Sequence, residues 1–142
     1  GVDVTRADLS RMDLTGAYMK DEKLIGTRLI DTNFTGAYMK GANFRKANAI
    51  ATKLGARSLA DANFSEVKFV RVEATGTFFG RTTWRNATVK FSDFSSSNFY
   101  KSNFEGASIL NTDMRATQLQ GASWKGAKVK GSDFKGAVGN TP

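Results

Sequence analysis

The sequence predicts an all-β solenoid of about seven square coils, 20 residues to a coil, with strands stacked in parallel. Three observations predict it. Read at every fifth residue from Val4 to Phe134, all 27 positions are apolar, and they include nine of the eleven Phe and both Trp. With 40% apolar residues overall, chance gives such a run on the order of once in 10^11 trials. Two residues earlier runs a second series, Val2 to Ser132, in which 21 of 27 members are Ala, Ser or Thr. The stretch TGAYMK stands at Thr15–Lys20 and again at Thr35–Lys40, 20 residues apart.

Each element of the prediction follows from these spacings. A period of five fits neither a helix at 3.6 nor a flat strand at 2. One large residue (position i) and one small residue (i−2) facing inward describe a chain that turns a corner every five residues, and four corners close a coil. Stacked coils lie ~4.8 Å apart, so seven make a rod roughly 34 Å long. Large residues fill the tube and small ones fit where a bulky side chain would not. Pro stands only at the last position, which suits an uninterrupted ladder. The departures are few. Glu22 and Arg57 fall at i−2, where an unpaired charge cannot be buried, and predict bulges or outward turns. Ala49 and Ala74 thin the interior, and DEKLI at Asp21–Ile25 is the poorest repeat. The chain reads as one domain, residues 1–142, with in-frame repeats over about 2–136. Gly1 rather than Met points to a processed form or an excised piece. No amphipathic segment is left over to cap either end, and a solenoid end exposes its interior. Trp124, Val129 and Phe134 of the last coil are therefore a candidate end-to-end contact, simplest as a closed homodimer.

The pattern Ala-(Asp/Asn)-(Leu/Phe)-x-x, as in ADLSR at Ala7–Arg11, ANFRK at Ala42–Lys46 and ANFSE at Ala62–Glu66, resembles the pentapeptide-repeat proteins over essentially the whole chain. The resemblance implies that family's right-handed quadrilateral parallel β-helix. It also implies a non-enzymatic protein without cofactors. Members include cyanobacterial and chloroplast-lumen proteins, bacterial effectors and the Qnr and MfpA group that protects DNA gyrase. A soluble protein of the cytoplasm or of a chloroplast or cyanobacterial lumen is the compartment implied.

Composition agrees on chemistry. The chain has no His and no Cys, which removes zinc fingers, haem and iron–sulfur ligation and the familiar triads. No apolar run approaches the ~18 residues of a membrane helix. TGTFFGRTT at Thr75–Thr83 lies in frame with the repeats and is no phosphate loop. The net charge is +8, and sorting outward residues by face divides it unevenly. The second face, centred on Leu9 to Val129, carries +5: Arg11, Arg28, Lys68, Arg71, Lys90, Lys128 and Lys130 against Asp8 and Asp31.

That face also holds an apolar column, Ile30, Ile50, Val70 and Leu110, interrupted by Lys90 with Phe91 beside it. An apolar centre with a rim of Arg28, Lys68, Arg71, Lys90 and Lys128 is a candidate protein-docking stripe, open to an extended strand or a flat acidic surface. Strand propensity alone is the competing account. The third face carries acids at Glu73, Asp93, Asp113 and Asp133, read as a solvated ladder rather than a metal site. The fourth carries Tyr18, Tyr38, Phe78 and Tyr100, read as cross-coil stacking. The function expected is a non-catalytic interaction scaffold with another protein as partner. Gyrase protection by DNA mimicry is a weaker alternative, because a basic rod attracts DNA rather than imitating it. Binding of nucleic acid or an anionic membrane through the basic face is the other alternative.

Overall fold

The computed structural model describes residues 2–142; Gly1, the first residue of the expected domain, lies outside them. A chain that turns every five residues leaves three in a row extended, so its strands are short. They are β1 (Asn48–Ile50), β2 (Lys68–Val70), β3 (Thr88–Lys90), β4 (Ser108–Leu110), β5 (Gln118–Leu119), β6 (Lys128–Lys130) and β7 (Val138–Gly139). All pair in parallel. Five form one sheet in the order β1-β2-β3-β4-β6, and β5 pairs β7. The register steps by 20: Ala49 faces Phe69, then Val89, Ile109 and Val129.

Single bridges complete the square. One column joins Asp3, Lys23, Asn43, Asn63, Thr83, Asn103 and Ser123, and others begin at Asp8, Asp13 and Tyr18. The continuous ladder thus spans five coils of the second face, while the other sides pair mostly through one residue per coil.

The corners explain a feature of the sequence. Position i+2 adopts positive φ at every corner but the one at Ala56, in sixteen non-glycine residues and ten glycines such as Gly36 and Gly76. A left-handed residue there closes the turn, and L side chains other than Asn and Asp resist it. Gly is therefore favoured at i+2 because it takes the conformation without a Cβ penalty, although L residues hold most of these corners.

The Asp and Asn at i−1 have an equally local cause. Eleven of them accept a hydrogen bond on Oδ1 from the backbone N–H of residue i+1 at 2.9–3.0 Å, as Asp13 does from Thr15, Asn63 from Ser65 and Asp133 from Lys135. These Asx turns satisfy a donor that the coil-to-coil ladder leaves over.

Inside, the large series forms one continuous core. Phe44, Phe64, Trp84, Phe104 and Trp124 stack in one column, with centroids 5.0, 4.3, 6.0 and 4.2 Å apart. Small i−2 residues share the space, and hydroxyls among them bond to backbone: Ser97 Oγ donates to the Ala74 carbonyl at 2.7 Å, and Ser132 Oγ to that of Ile109 at 3.1 Å. At Arg57 the expected departure occurs. Ala56 N–H donates to Leu54 O, Arg57 N–H donates to Ala37 O, Ala56 is buried and the Arg57 side chain is exposed. At Glu22 no bulge forms. Its N–H closes an ordinary turn to Met19 O, and the residue is half-buried, so its carboxylate is not taken fully out of water.

A candidate protein-docking face

The second face is positioned by β1, β2, β3, β4 and β6. In a three-residue strand the middle side chain points into the tube and its neighbours point out. Ile50, Val70, Lys90, Leu110 and Lys130 thus form one outward column, with Ile30 one coil before Ile50. Ile30, Ile50, Val70 and Leu110 are half-buried. Asn48, Lys68, Thr88, Ser108 and Lys128 form the parallel column, continued by Arg28. Arg28, Lys68, Arg71, Lys90 and Lys128 are all exposed.

Phe91 stands at the corner beyond this face. It is 55% exposed, its φ is +53°, and the Arg71 guanidinium lies 5.9 Å from its ring centroid. A bulky residue in the left-handed region is strained. The signal was present in sequence, since i+2 is where Gly gathers. Two shallow depressions border the stripe. One of about 310 Å³ is lined by Lys68, Phe69, Val70, Thr88 and Lys90. Another of about 490 Å³ includes Lys46, Asn48, Glu66 and Asn86, none of which the sequence pattern singles out.

The other faces use their polar groups internally. On the third, Asp93, Asp113 and Asp133 each cap a backbone N–H. Asp113 also binds Arg115, Oδ2 to Nη2 at 2.6 Å, and this hydrogen bond holds its carboxyl below the ordinary range. On the fourth face Arg81 Nε donates to Asp61 at 2.7 Å, with the same effect on Asp61. No group of three or more acidic side chains suited to a metal ion occurs among the described residues. Tyr18 and Tyr38 stack at 5.5 Å and 12°, and Arg57 covers Tyr38 at 5.3 Å. The Phe78 ring lies over Gly80, where a Cβ would meet it at 2.4 Å. At the C-terminal end Trp124, Val129 and Phe134 are half-buried, with Trp124 Nε1 donating to the Asn140 carbonyl at 2.6 Å. No helix among the described residues is long and apolar enough to cross a membrane.

A parallel solenoid without helices among the described residues, with a corner every five residues, an apolar interior and varied faces, defines a repeat protein that offers faces rather than a cleft. Residues 23–48 and 97–136, just under half of the chain, match the pentapeptide repeats family in eight copies, and the five-residue period of those copies runs in one frame through the rest of the chain. Among solved structures, a trypsin-treated variant of QnrB1, a plasmid-mediated fluoroquinolone resistance protein, is similar with a TM-score of 0.54 at 13% identity, over 99% of this chain and 92% of that one. HetL, involved in heterocyst differentiation regulation in the cyanobacterium Nostoc, matches at 17% identity over 96% and 86% of the two chains with a TM-score of 0.34. A pentapeptide repeat protein of the Arabidopsis thaliana thylakoid lumen matches at 22% over 83% and 65%, also with a TM-score of 0.34. The likeness to QnrB1 is one of fold. No curated protein matches the chain in sequence.

Proposed function

We propose that this protein is a non-catalytic interaction scaffold that docks a protein partner on its second face. The observation that carries the reading is the column Ile30, Ile50, Val70 and Leu110, outward, half-buried and set among exposed cations. Burial of that column supplies affinity and the surrounding charges steer approach. The match to the pentapeptide repeats supports a structural or interaction role, and a smooth rod offers no walls that shift a pKa for catalysis. DNA mimicry in the manner of a topoisomerase protector draws support from the QnrB1 fold, but a net charge of +8 opposes it.

A photo-crosslinking residue placed at Val70 in cells that express the protein tests the reading, with one at Asn33 on the third face as control. A defined adduct from Val70, absent from Asn33 and lost on Ile50→Asp with Arg71→Glu, is expected. Equal adducts from both positions, or none from Val70, overturn it.

A further inference from the structure

We propose that the occupant of this face is an acidic amphipathic helix lying along the rod axis, an inference that rests on the docking role above. Spacing makes the first argument. The apolar column repeats once per coil, so Ile30, Ile50 and Val70 span ~10 Å at ~4.8 Å per step. Residues i, i+4 and i+7 of a helix lie on one side and span ~10.5 Å. An extended segment crossing the coils sets same-side residues ~6.7 Å apart, so its third residue overshoots Val70 by ~4 Å. A helix of about 13 residues reaches from Ile30 to Leu110.

The backbone makes the second argument. Strand addition requires an open sheet edge, and β2, β3 and β4 each already pair on both sides. The face therefore offers a partner side chains rather than ladder groups. Charge makes the third. Arg28, Lys68, Arg71 and Lys90 are exposed and form no ion pair among the described residues, whereas Arg45, Arg81, Arg85 and Arg115 each have a carboxylate partner. Carboxylates bordering the apolar stripe of a helix would meet cations on both sides of the column. A nucleic acid or a bilayer surface would engage the cations and leave Ile30, Ile50 and Val70 uncovered.

Phe91 marks one border as an anchor. It holds a left-handed φ of +53° at a corner where the fold accepts Gly, as at Gly131 two coils on. A large exposed aromatic ring beside Arg71 and Lys90, which form no ion pair among the described residues, suits the centre of an interface hot spot.

The test is to pan a displayed library of random peptides of about 16 residues, enough for four helical turns, on the whole chain. Enriched peptides are then synthesised and titrated by fluorescence anisotropy and circular dichroism. Enriched sequences should carry apolar residues at i, i+4 and i+7 with Asp or Glu alongside, and gain helical signal on binding. They should weaken roughly tenfold or more on Ile50→Asp/Val70→Asp and on Phe91→Gly. Phe91→Gly relieves a strained corner, so its thermal midpoint should hold or rise and the loss cannot be unfolding. If Ile50→Asp/Val70→Asp does not fold, Phe91→Gly and Arg71→Glu carry the comparison. Peptides that depend on these residues but lack the helical period and signal refute the helix and leave the docking face standing. Peptides indifferent to the variants, or no enrichment at all, refute the helix too. The crosslinking at Val70 then decides the docking face separately.

Discussion

The indole N–H of Trp84 donates to Thr82 Oγ1 at 2.9 Å in the middle of the core. Thr82 Oγ1 in turn donates to the Phe79 carbonyl at 2.8 Å and lies 2.9 Å from Ser102 Oγ. The small i−2 residue is thus more than a filler, because it lets the column carry an indole where a Phe ring would need no partner. Thr82→Val keeps the shape and orphans the donor, at a cost of about 1–3 kcal/mol. In a Trp84→Phe background the same change should cost clearly less, so a double-mutant cycle in urea reports the coupling. The neighbouring ring sets the scale. Phe64 stacks between Phe44 and Trp84 with no exposed surface, so Phe64→Ala should cost about 3–5 kcal/mol. Ser65→Ala, at an outward position, should cost under about 0.5 kcal/mol. Equal losses for these two would contradict the inward assignment.

Corner conformation yields a matched pair of predictions. Ala51 has φ +54° and Gly76 φ +65°, and a Cβ on Gly76 would meet nothing within 4 Å. Gly76→Ala therefore measures left-handed strain alone and should destabilise by about 1 kcal/mol, a left-handed L residue costing roughly 1–2 kcal/mol less the chain entropy saved. Ala51→Gly should stabilise by up to about 1 kcal/mol. Thermal denaturation of both variants checks the sign; the same sign for both would mean that the corners do not share one turn type.

The interior was legible in the sequence because inward positions tolerate nothing but apolar or small side chains, and a fixed period of five then shows through any composition. From Val4 to Phe134 the frame never slips, and the register of 20 seen at Ala49, Phe69 and Val89 follows from it. The Asx bonds of Asp13 or Asn63 were hidden behind a consensus letter, since their partner is a backbone N–H that carries no sequence signal. Glu22 misled for a different reason: the rule against buried charge applies to a fully buried group, and Glu22 is only half-buried in an ordinary turn. The outward column Ile30, Ile50, Val70 and Leu110 was legible from the register of 20 residues. The helical spacing that suits it emerges only when the rise between coils is compared with that of a helix.

The Asx turns make part of the stability acid-sensitive. The carboxyls of Asp3 and Asp13 are lowered from 3.8 first by hydrogen bonds from the side chains of Thr5 and Thr15, and Asp113 by that from Arg115. A carboxyl whose folded value lies below its unfolded value contributes stability that is complete above about pH 4 and disappears as pH falls through the folded value. The thermal midpoint should therefore be flat from neutral pH down to about 5 and drop below about 4. Asn103 makes the same turn bond to Glu105 N–H at 2.9 Å without a titrating group. Asp113→Asn should accordingly lower the midpoint slightly at neutral pH, by losing Arg115, and reduce the acid-induced drop. An unchanged drop would mean that these turns do not share in the acid transition.

The last coil carries a prediction of association. Trp124 stacks on Phe104 at 4.2 Å on its inner side and meets the Phe134 edge at 5.8 Å, but no aromatic ring follows it outward. Trp84, by contrast, lies between Phe64 and Phe104 and is 1% exposed. The chain has two Trp, so in a Trp84→Phe background all indole fluorescence comes from Trp124. A second copy that covers Trp124, Val129 and Phe134 would bury apolar surface that the coil leaves half-open, and a closed pair hides it without making fibres. Acrylamide quenching of Trp124 should then fall as protein concentration rises, with the emission moving to shorter wavelength while light scattering reports a doubled mass. Trp124→Glu, read by scattering alone, should stay monomeric because it places a charge in the contact. If quenching stays constant while the mass doubles, copies meet elsewhere, and the second face becomes the first place to look. A protein that remains monomeric at every concentration would show that Asn140, held on Trp124 Nε1 and bonded through its backbone N–H to Leu119 O, closes this end well enough by itself.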